Sequence, residues 1–158
     1  MIVLRNDFEE KNEFSVWNIE SNKFPKKNEP VIITLDFWDE HKDEFSGFSN
    51  IGLLINSDQN LEGLEADLEA FSIIQINFLT FKDGRPFSIA RQLRKKFNFK
   101  KEIRASGYML PDQYGYLLRC GFNTIEIPKE EKDIWIKVLS LESKEKYQQF
   151  WRKPFTQF

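Results

Sequence analysis

Cysteine and histidine are almost missing from this chain of 158 residues, which contains one of each, Cys120 and His41. A single cysteine excludes an intramolecular disulfide, a four-thiolate metal site and a self-contained iron–sulfur site. It also fits a reducing compartment such as the cytosol, where disulfides are rare. His41 lies in an acidic segment without a second histidine or cysteine nearby, so we expect no metal site and no catalytic triad.

Long apolar runs are missing as well. No run approaches the ~18 apolar residues of a membrane-spanning helix, and no basic-then-apolar leader is present. The glycine-rich motifs that bind dinucleotides and nucleoside triphosphates are also absent, so no motif indicates a cofactor, and any cofactor stays unknown. We expect a soluble cytoplasmic protein without a membrane partner.

Apolar residues are plentiful in shorter segments. They make up 41% of the chain and include 16 phenylalanines, enough to build the core of one domain without metal or disulfide support. We predict a single domain over 1–158. Within it we expect a peripheral β ribbon and linker at 1–30, a βα core at 31–142 and an aromatic C-terminal tail at 143–158.

From Val31 onward, short β-branched runs alternate with segments of helical spacing. Five runs are predicted as strands: Val31–Leu35, Ile51–Asn56, Ile73–Leu79, Glu102–Gly107 and Thr124–Ile127. Short connections between such units favour right-handed crossovers and a mainly parallel sheet. We therefore predict an α/β fold of about five βα units. Five units do not complete an eightfold barrel, and the pattern fits both an open layered sheet and a partial TIM-like barrel.

The charges are unevenly distributed. Between Lys82 and Arg104 the chain has nine basic and two acidic residues, a local charge of +7 within a formal total of −2. Such a region attracts anions or an acidic protein, although a solvated helix face would have the same composition. Apolar spacing predicts that Arg94, Lys95 and Lys96 lie largely outside. The overall acidity weighs against a nucleic-acid partner.

The loop at 82–88 is the main candidate for a ligand site, because ligands of parallel α/β proteins collect beyond the carboxyl ends of the strands. Gly84 permits a tight turn, and a helix that begins near Pro86 offers free amides and a positive dipole end. An arginine and a hydroxyl can add oxyanion contacts. The predicted anion-binding residues are Asp83, Gly84, Arg85, Ser88 and Arg91.

The same loop has a purely structural interpretation, in which Asp83 caps the helix and Arg85 pairs with Asp58 or Asp112. Asp112 follows a proline at the start of another predicted helix, where Asp is favoured by the dipole alone. It is nevertheless the candidate for a catalytic acid–base group. Cys120 stands among apolar neighbours and is predicted to be a buried small residue rather than a nucleophile.

Several segments carry a resemblance to a known family. They are Phe81–Arg94 (FKDGRPFSIARQLR), Glu102–Gly107 (EIRASG), Asp112-Gln113 and Arg119–Phe122 (RCGF). On these residues the chain resembles the bacterial domain-of-unknown-function family nine-three-four. Members of that family usually lie beside sulfite reductase genes and carry a provisional label as oxidoreductases of sulfite reduction. The chain departs from the family pattern at Leu79-Thr80, Tyr108 and Pro111, which replace Pro-Lys, Asp and Arg.

The resemblance implies two functions. The first is an accessory protein of sulfite reduction, and so of assimilatory sulfur metabolism, that binds sulfite reductase or its electron donor through the basic Lys82–Arg104 region. The alternative is a small enzyme of the same pathway with an oxyanion site at the Asp83–Gly84–Arg85 loop and Asp112 as acid–base group. Whether the chain is catalytic, what its substrate is and how it oligomerises are not predicted.

Overall fold

Eight strands form one sheet in a computed structural model of the chain, which describes residues 1–17, 20 and 23–144. The strands are β1 (Ile2–Arg5), β2 (Phe8–Glu10), β3 (Ser15–Val16), β4 (Val31–Thr34), β5 (Ile51–Asn56), β6 (Phe71–Phe78), β7 (Glu102–Gly107) and β8 (Thr124–Ile127). The α-helices are α1 (Leu35–His41), α2 (Arg85–Lys95), α3 (Tyr114–Cys120) and α4 (Lys132–Lys144).

The sheet is mostly parallel. Its strand order is β2-β1-β8-β7-β6-β5-β4-β3, with β3 through β8 parallel and β1 antiparallel to both of its neighbours. From β4 to β8 each strand lies beside the next one in the chain. This order is the singly wound order of barrels, whereas doubly wound sheets reverse direction part-way. The mixed α/β, mainly parallel class is therefore confirmed.

The connection between β2 and β3 shows that the sheet is curled. These strands occupy opposite edges, yet only residues 11–14 separate them. Five residue steps span at most about 18 Å, whereas eight strands laid flat would place the edges about 34 Å apart. The sheet is a half-barrel, so the partial barrel is the correct one of the two predicted alternatives.

The two faces of the curled sheet differ. The α-helices pack on one face, where one continuous apolar core includes Leu53, Ile76 and Ile103 from the strands and Leu93 and Leu117 from the helices. We call this the outer face. Asn12 in the short connection contacts Arg104 and Glu126, which alternate with core residues and so point away from the helices. The connection therefore runs across the opposite, inner face.

The crossover after β5 is not the helix that its sequence indicates. Leu61, Leu64, Leu68 and Phe71 fall at helical spacing, which predicts an amphipathic helix. In the structure Leu64–Ala70 forms a 3-10 helix that begins after Gly63, whose φ is +85°. Phe71 starts β6 and is fully buried. The chain thus turns into the sheet earlier than helical spacing alone indicates, because burying Phe71 in the outer core is favourable.

The N-terminal region is only partly peripheral, which corrects the ribbon prediction for 1–30. β1 pairs with β8, and its Ile2, Val3 and Leu4 are buried. Pairing with β1 satisfies the backbone groups at the edge that β8 would otherwise expose. Only β2 and β3 lie at sheet edges. The predicted aromatic tail lies outside the described residues, apart from the end of α4. No helix in the described ranges is both long and apolar enough to cross a membrane.

Candidate functional site

An ion pair between Asp83 and Arg85 closes the loop between β6 and α2. Arg85 donates from Nε to Asp83 Oδ1 at 2.9 Å and from Nη2 to Oδ2 at 2.8 Å. Its backbone N–H also donates to Asp83 Oδ1, at 3.0 Å. The carboxylate therefore satisfies one of the free amides at the start of α2, as the structural interpretation expected. Arg85 pairs with Asp83 itself, not with Asp58 or Asp112.

The two members of the pair differ in exposure. The Asp83 side chain is 9% exposed and that of Arg85 60%. The hydrogen bond from Arg85 holds the pKa of Asp83 well below its usual range, and the nearby Ser57 hydroxyl lowers it further. An anion at this loop would have to compete with a carboxylate that already engages Arg85. The anion-binding role of the loop stays a prediction.

The Asp83 carboxylate is expected to stabilise the fold only while it is ionised. The pKa of Asp83 is lower in the native state than in the unfolded state. Below about pH 4 the unfolded state therefore binds more protons than the native state, and the free energy of unfolding falls as the pH is lowered further. Asp83→Asn should reduce the free energy of unfolding at pH 6, and its difference from wild type should shrink at pH 3. Urea unfolding at both pH values tests this, with the exposed Asp112→Asn as control. A deficit of equal size at both pH values would contradict it.

Ser88 and Arg91 lie on the exposed side of α2, one helical turn apart. Arg91 Nη2 donates to the Tyr116 hydroxyl of α3 at 3.0 Å, and its guanidinium lies 5.4 Å from the centre of that ring. The guanidinium of Arg119 lies 5.7 Å from the same ring. Two cations thus share one partly exposed aromatic ring across neighbouring helices. With Lys95 they form a positive surface, which we call the α2–α3 surface: Arg91, Lys95, Tyr116 and Arg119.

Two of the nine basic residues of the predicted positive region are buried, because each has acceptors inside the fold. Arg104 is 3% exposed and Arg94 4%, so the prediction that Arg94 lies outside is wrong. Arg94 donates to the carbonyls of Gly121, Phe99 and Lys101 and to the side chain of Asn123. Burial lowers the pKa of Arg94 to about 10, which leaves it charged at neutral pH.

The loop after β7 lies against the loop after β6. Gln113 accepts from the N–H of Leu110 at 2.9 Å and donates from Nε2 to the carbonyl of Phe81 at 3.4 Å. Asp112, beside it in the 3-10 helix Pro111–Gln113, is exposed. The structure therefore brings the candidate acid–base residue to the same edge of the sheet as Asp83 and Arg85. Its catalytic role stays a prediction.

Cys120 is 2% exposed, as predicted from its apolar neighbours, and burial raises the pKa of its thiol. A thiol with a raised pKa is largely protonated at neutral pH and is a poor nucleophile. Within the described ranges, no three histidine, cysteine or carboxylate side chains come close enough to hold a metal ion.

A polar layer on the inner face was missed by the sequence interpretation. Gln75 of β6 pairs in register with Arg104 of β7, which pairs with Thr124 of β8, and all three are buried. Arg104 Nη2 donates to Glu102 at 3.1 Å. The signal was present, since polar residues occupy every second position of Gln75–Asn77 and Glu102–Ser106. Strands that are buried against helices on both faces are apolar throughout, so this alternation indicates that one face of the sheet is not covered by helices.

Comparison with known proteins identifies a family. A family model described as a bacterial protein of unknown function, DUF934, matches residues 52–158. The match includes β5 after its first residue, β6 through β8, the Asp83–Arg85 loop and the α2–α3 surface, and it covers more than half of the chain. No significant match was found among the curated proteins or the solved structures. The chain therefore belongs to the DUF934 family of bacterial proteins.

Proposed function

We propose that this chain is an accessory protein of sulfite reduction that binds an acidic protein through the α2–α3 surface. The observation that carries the proposal is the pair of guanidiniums, from Arg91 and Arg119, against the exposed Tyr116 ring. The pathway comes from the family resemblance, because members usually lie beside sulfite reductase genes. Sulfite reductase and its electron donor are therefore the first partners to test.

Charge supports an acidic partner. Residues 84–101 contain no acidic residue, and every basic residue among them except Arg94 is exposed. Among the described residues, Arg91 forms no ion pair with a carboxylate, so its charge is available to a partner. Arg119, in contrast, lies 3.8 Å from the carboxylate of Glu142. A local positive field accelerates association with an acidic surface, and arginine and tyrosine dominate the binding energy of many interfaces.

Charge reversal on α2 tests the proposal. Arg91→Glu/Lys95→Glu should weaken binding to immobilised sulfite reductase or its donor at least tenfold at 50 mM salt, measured by biolayer interferometry. Lys27→Glu/Lys137→Glu changes the net charge equally at two other exposed positions and should stay within twofold of wild type. Wild-type binding should weaken as salt rises, because screening reduces attraction between exposed charges.

Two results would overturn the proposal. One is the absence of binding by the wild-type chain to both proteins at low salt. The other is an equal loss in the control variant, since that would mean that overall charge, not this surface, governs association.

The alternative, an enzyme with an oxyanion site at the Asp83–Gly84–Arg85 loop, has less support. Asp83 already accepts from Arg85, whose Nε–H is shared between Oδ1 and Oδ2 and whose Nη2 donates to Oδ2. A thermal-shift titration with sulfite, sulfate and phosphate addresses it directly. A concentration-dependent increase in Tm that disappears in Arg85→Ala would favour the enzyme.

A further inference from the structure

Gln75 presents an unsatisfied polar atom on the inner face of the half-barrel. The residue is 3% exposed, and none of the described residues donates a hydrogen bond to its Oε1. A buried acceptor without a donor reduces stability. The outer face of the same strand carries Ile74 and Ile76 instead. A residue that lowers stability in a buried position is the kind of exception that marks a functional site.

The polar groups next to Gln75 lie at the carboxyl ends of three adjacent parallel strands. Asn77, two residues further along β6, donates from Nδ2 to Oδ1 of Asn56 at the end of β5, at 3.1 Å. Ser106 of β7 is in register with Asn77 and is buried. In barrels and other parallel α/β folds, this end of the sheet is where ligands bind.

Apolar side chains are exposed on the loops that follow these strands. Leu79 and Phe81 follow β6, and Tyr108 and Leu110 follow β7, with Tyr108 70% exposed. The two loops are held together, since the N–H of Tyr108 donates to the carbonyl of Phe78 at 2.9 Å. Apolar and aromatic side chains around a few fixed polar groups are typical of small-molecule sites.

We propose that the inner face at the carboxyl ends of β5, β6 and β7 binds an uncharged ring with an N–H donor beside a carbonyl acceptor, as in a nucleobase. Gln75 Oε1 would accept from the ring N–H. Asn56 uses Oδ1 to accept from Asn77, which leaves its amide nitrogen as a donor to the ring carbonyl. Carboxamide side chains recognise a ring that has a donor beside an acceptor by forming a hydrogen bond with each of them, and aromatic side chains stack on such a ring.

The ligand is taken to be uncharged because the cation that lies in register with Gln75 already has partners among the described residues. Arg104, which lies in register with Gln75, is already paired with Glu102, and its Nη1 donates to Asn12 Oδ1 at 2.9 Å. A further charge beside this pair would be buried without compensation. The site shares no residue with the α2–α3 surface, so a test of ligand binding here does not depend on whether the proposed partner binds there.

The probes are uridine, which has the donor–acceptor ring, and ribose, which has only the sugar. Saturation-transfer NMR on the full chain should give a signal with uridine and none with ribose. Gln75→Met conserves volume but removes the acceptor, and it should weaken uridine binding at least tenfold. Gln92→Met makes the same chemical change on α2 and should leave binding unchanged.

Thermal stability separates binding from a structural role. Gln75→Met should have a Tm equal to or above that of wild type, because it removes a buried acceptor without a donor. A lower Tm would mean that a buried water satisfies Oε1, and it would overturn the proposal. So would the lack of a uridine signal, a ribose signal as strong as that of uridine, or undiminished uridine binding by Gln75→Met.

Discussion

Arg94→Leu is expected to lower the free energy of unfolding by about 3–5 kcal/mol, because each buried acceptor that loses its donor costs about 1–3 kcal/mol. The guanidinium donates to the carbonyls of Gly121, Phe99 and Lys101 at 2.7–2.9 Å. Leucine can bond none of them, so three backbone acceptors from two chain segments lose their donor. Urea unfolding followed by far-UV circular dichroism at pH 7 measures the effect.

Arg91→Leu is the matched control, because it makes the same change three residues earlier on the exposed side of α2. Its hydrogen bond to Tyr116 is at the surface, so a loss of about 1 kcal/mol or less is expected. Arg94→Lys should be nearly as harmful as Arg94→Leu, since an ammonium cannot reproduce the planar fork of donors. A loss in the free energy of unfolding for Arg94→Leu that is no larger than that for Arg91→Leu would contradict a stabilising role of the buried hydrogen bonds of Arg94.

Gly107→Ala is expected to destabilise the fold by about 2–4 kcal/mol, through backbone strain and collision together. Gly107 ends β7 with φ of +89°, a region that side chains disfavour. A methyl group there would also collide with the carbonyl oxygen of Phe78 and with Oδ1 of Asn77. The carbonyl belongs to the neighbouring strand and cannot move without disturbing the sheet.

Two other glycines separate these causes. Gly63 has φ of +85° but open space around it, so Gly63→Ala isolates backbone strain at about 1–2 kcal/mol. Gly84 has neither a positive φ nor a neighbour within 4 Å, so Gly84→Ala should be neutral or slightly stabilising. The free energy of unfolding should fall in the order Gly84→Ala, Gly63→Ala, Gly107→Ala. A Gly107→Ala effect no larger than that of Gly63→Ala would exclude the collision.

The strands of the core could be predicted because their signals are local. The bounds of β5, β7 and β8 agree with the prediction, since β-branched runs flanked by polar residues define strands wherever they are placed. The predicted bounds of β6, Ile73–Leu79, are wrong at both ends, because the strand runs from Phe71 to Phe78. Phe71 belongs to a strand because of what it packs against, and helical spacing in the preceding residues does not contain that information.

The contact of Asp83 with the start of α2 could be predicted for the same reason, because Asp83 lies two residues before Arg85 and accepts from its N–H. The predicted partners of Arg85, Asp58 or Asp112, were wrong, since Arg85 pairs with Asp83. Arg94 was misplaced because its acceptors are distant, with Gly121 27 residues further along the chain. Periodicity counts apolar residues and treats every arginine as a surface residue. It cannot detect carbonyl groups that only the folded chain brings together.

The sequence by itself determined the α/β class, the parallel strands, the helix start at the Asp83 loop and the family, because these follow from local residue patterns. Only the tertiary structure decided that the sheet curls, since this depends on β2 and β3 reaching opposite edges with residues 11–14 between them. Curling and register then place Gln75 beside Arg104 and expose Arg91 beside Tyr116. Those neighbours are set by strand pairing and helix packing between segments far apart in the chain, which no local pattern encodes.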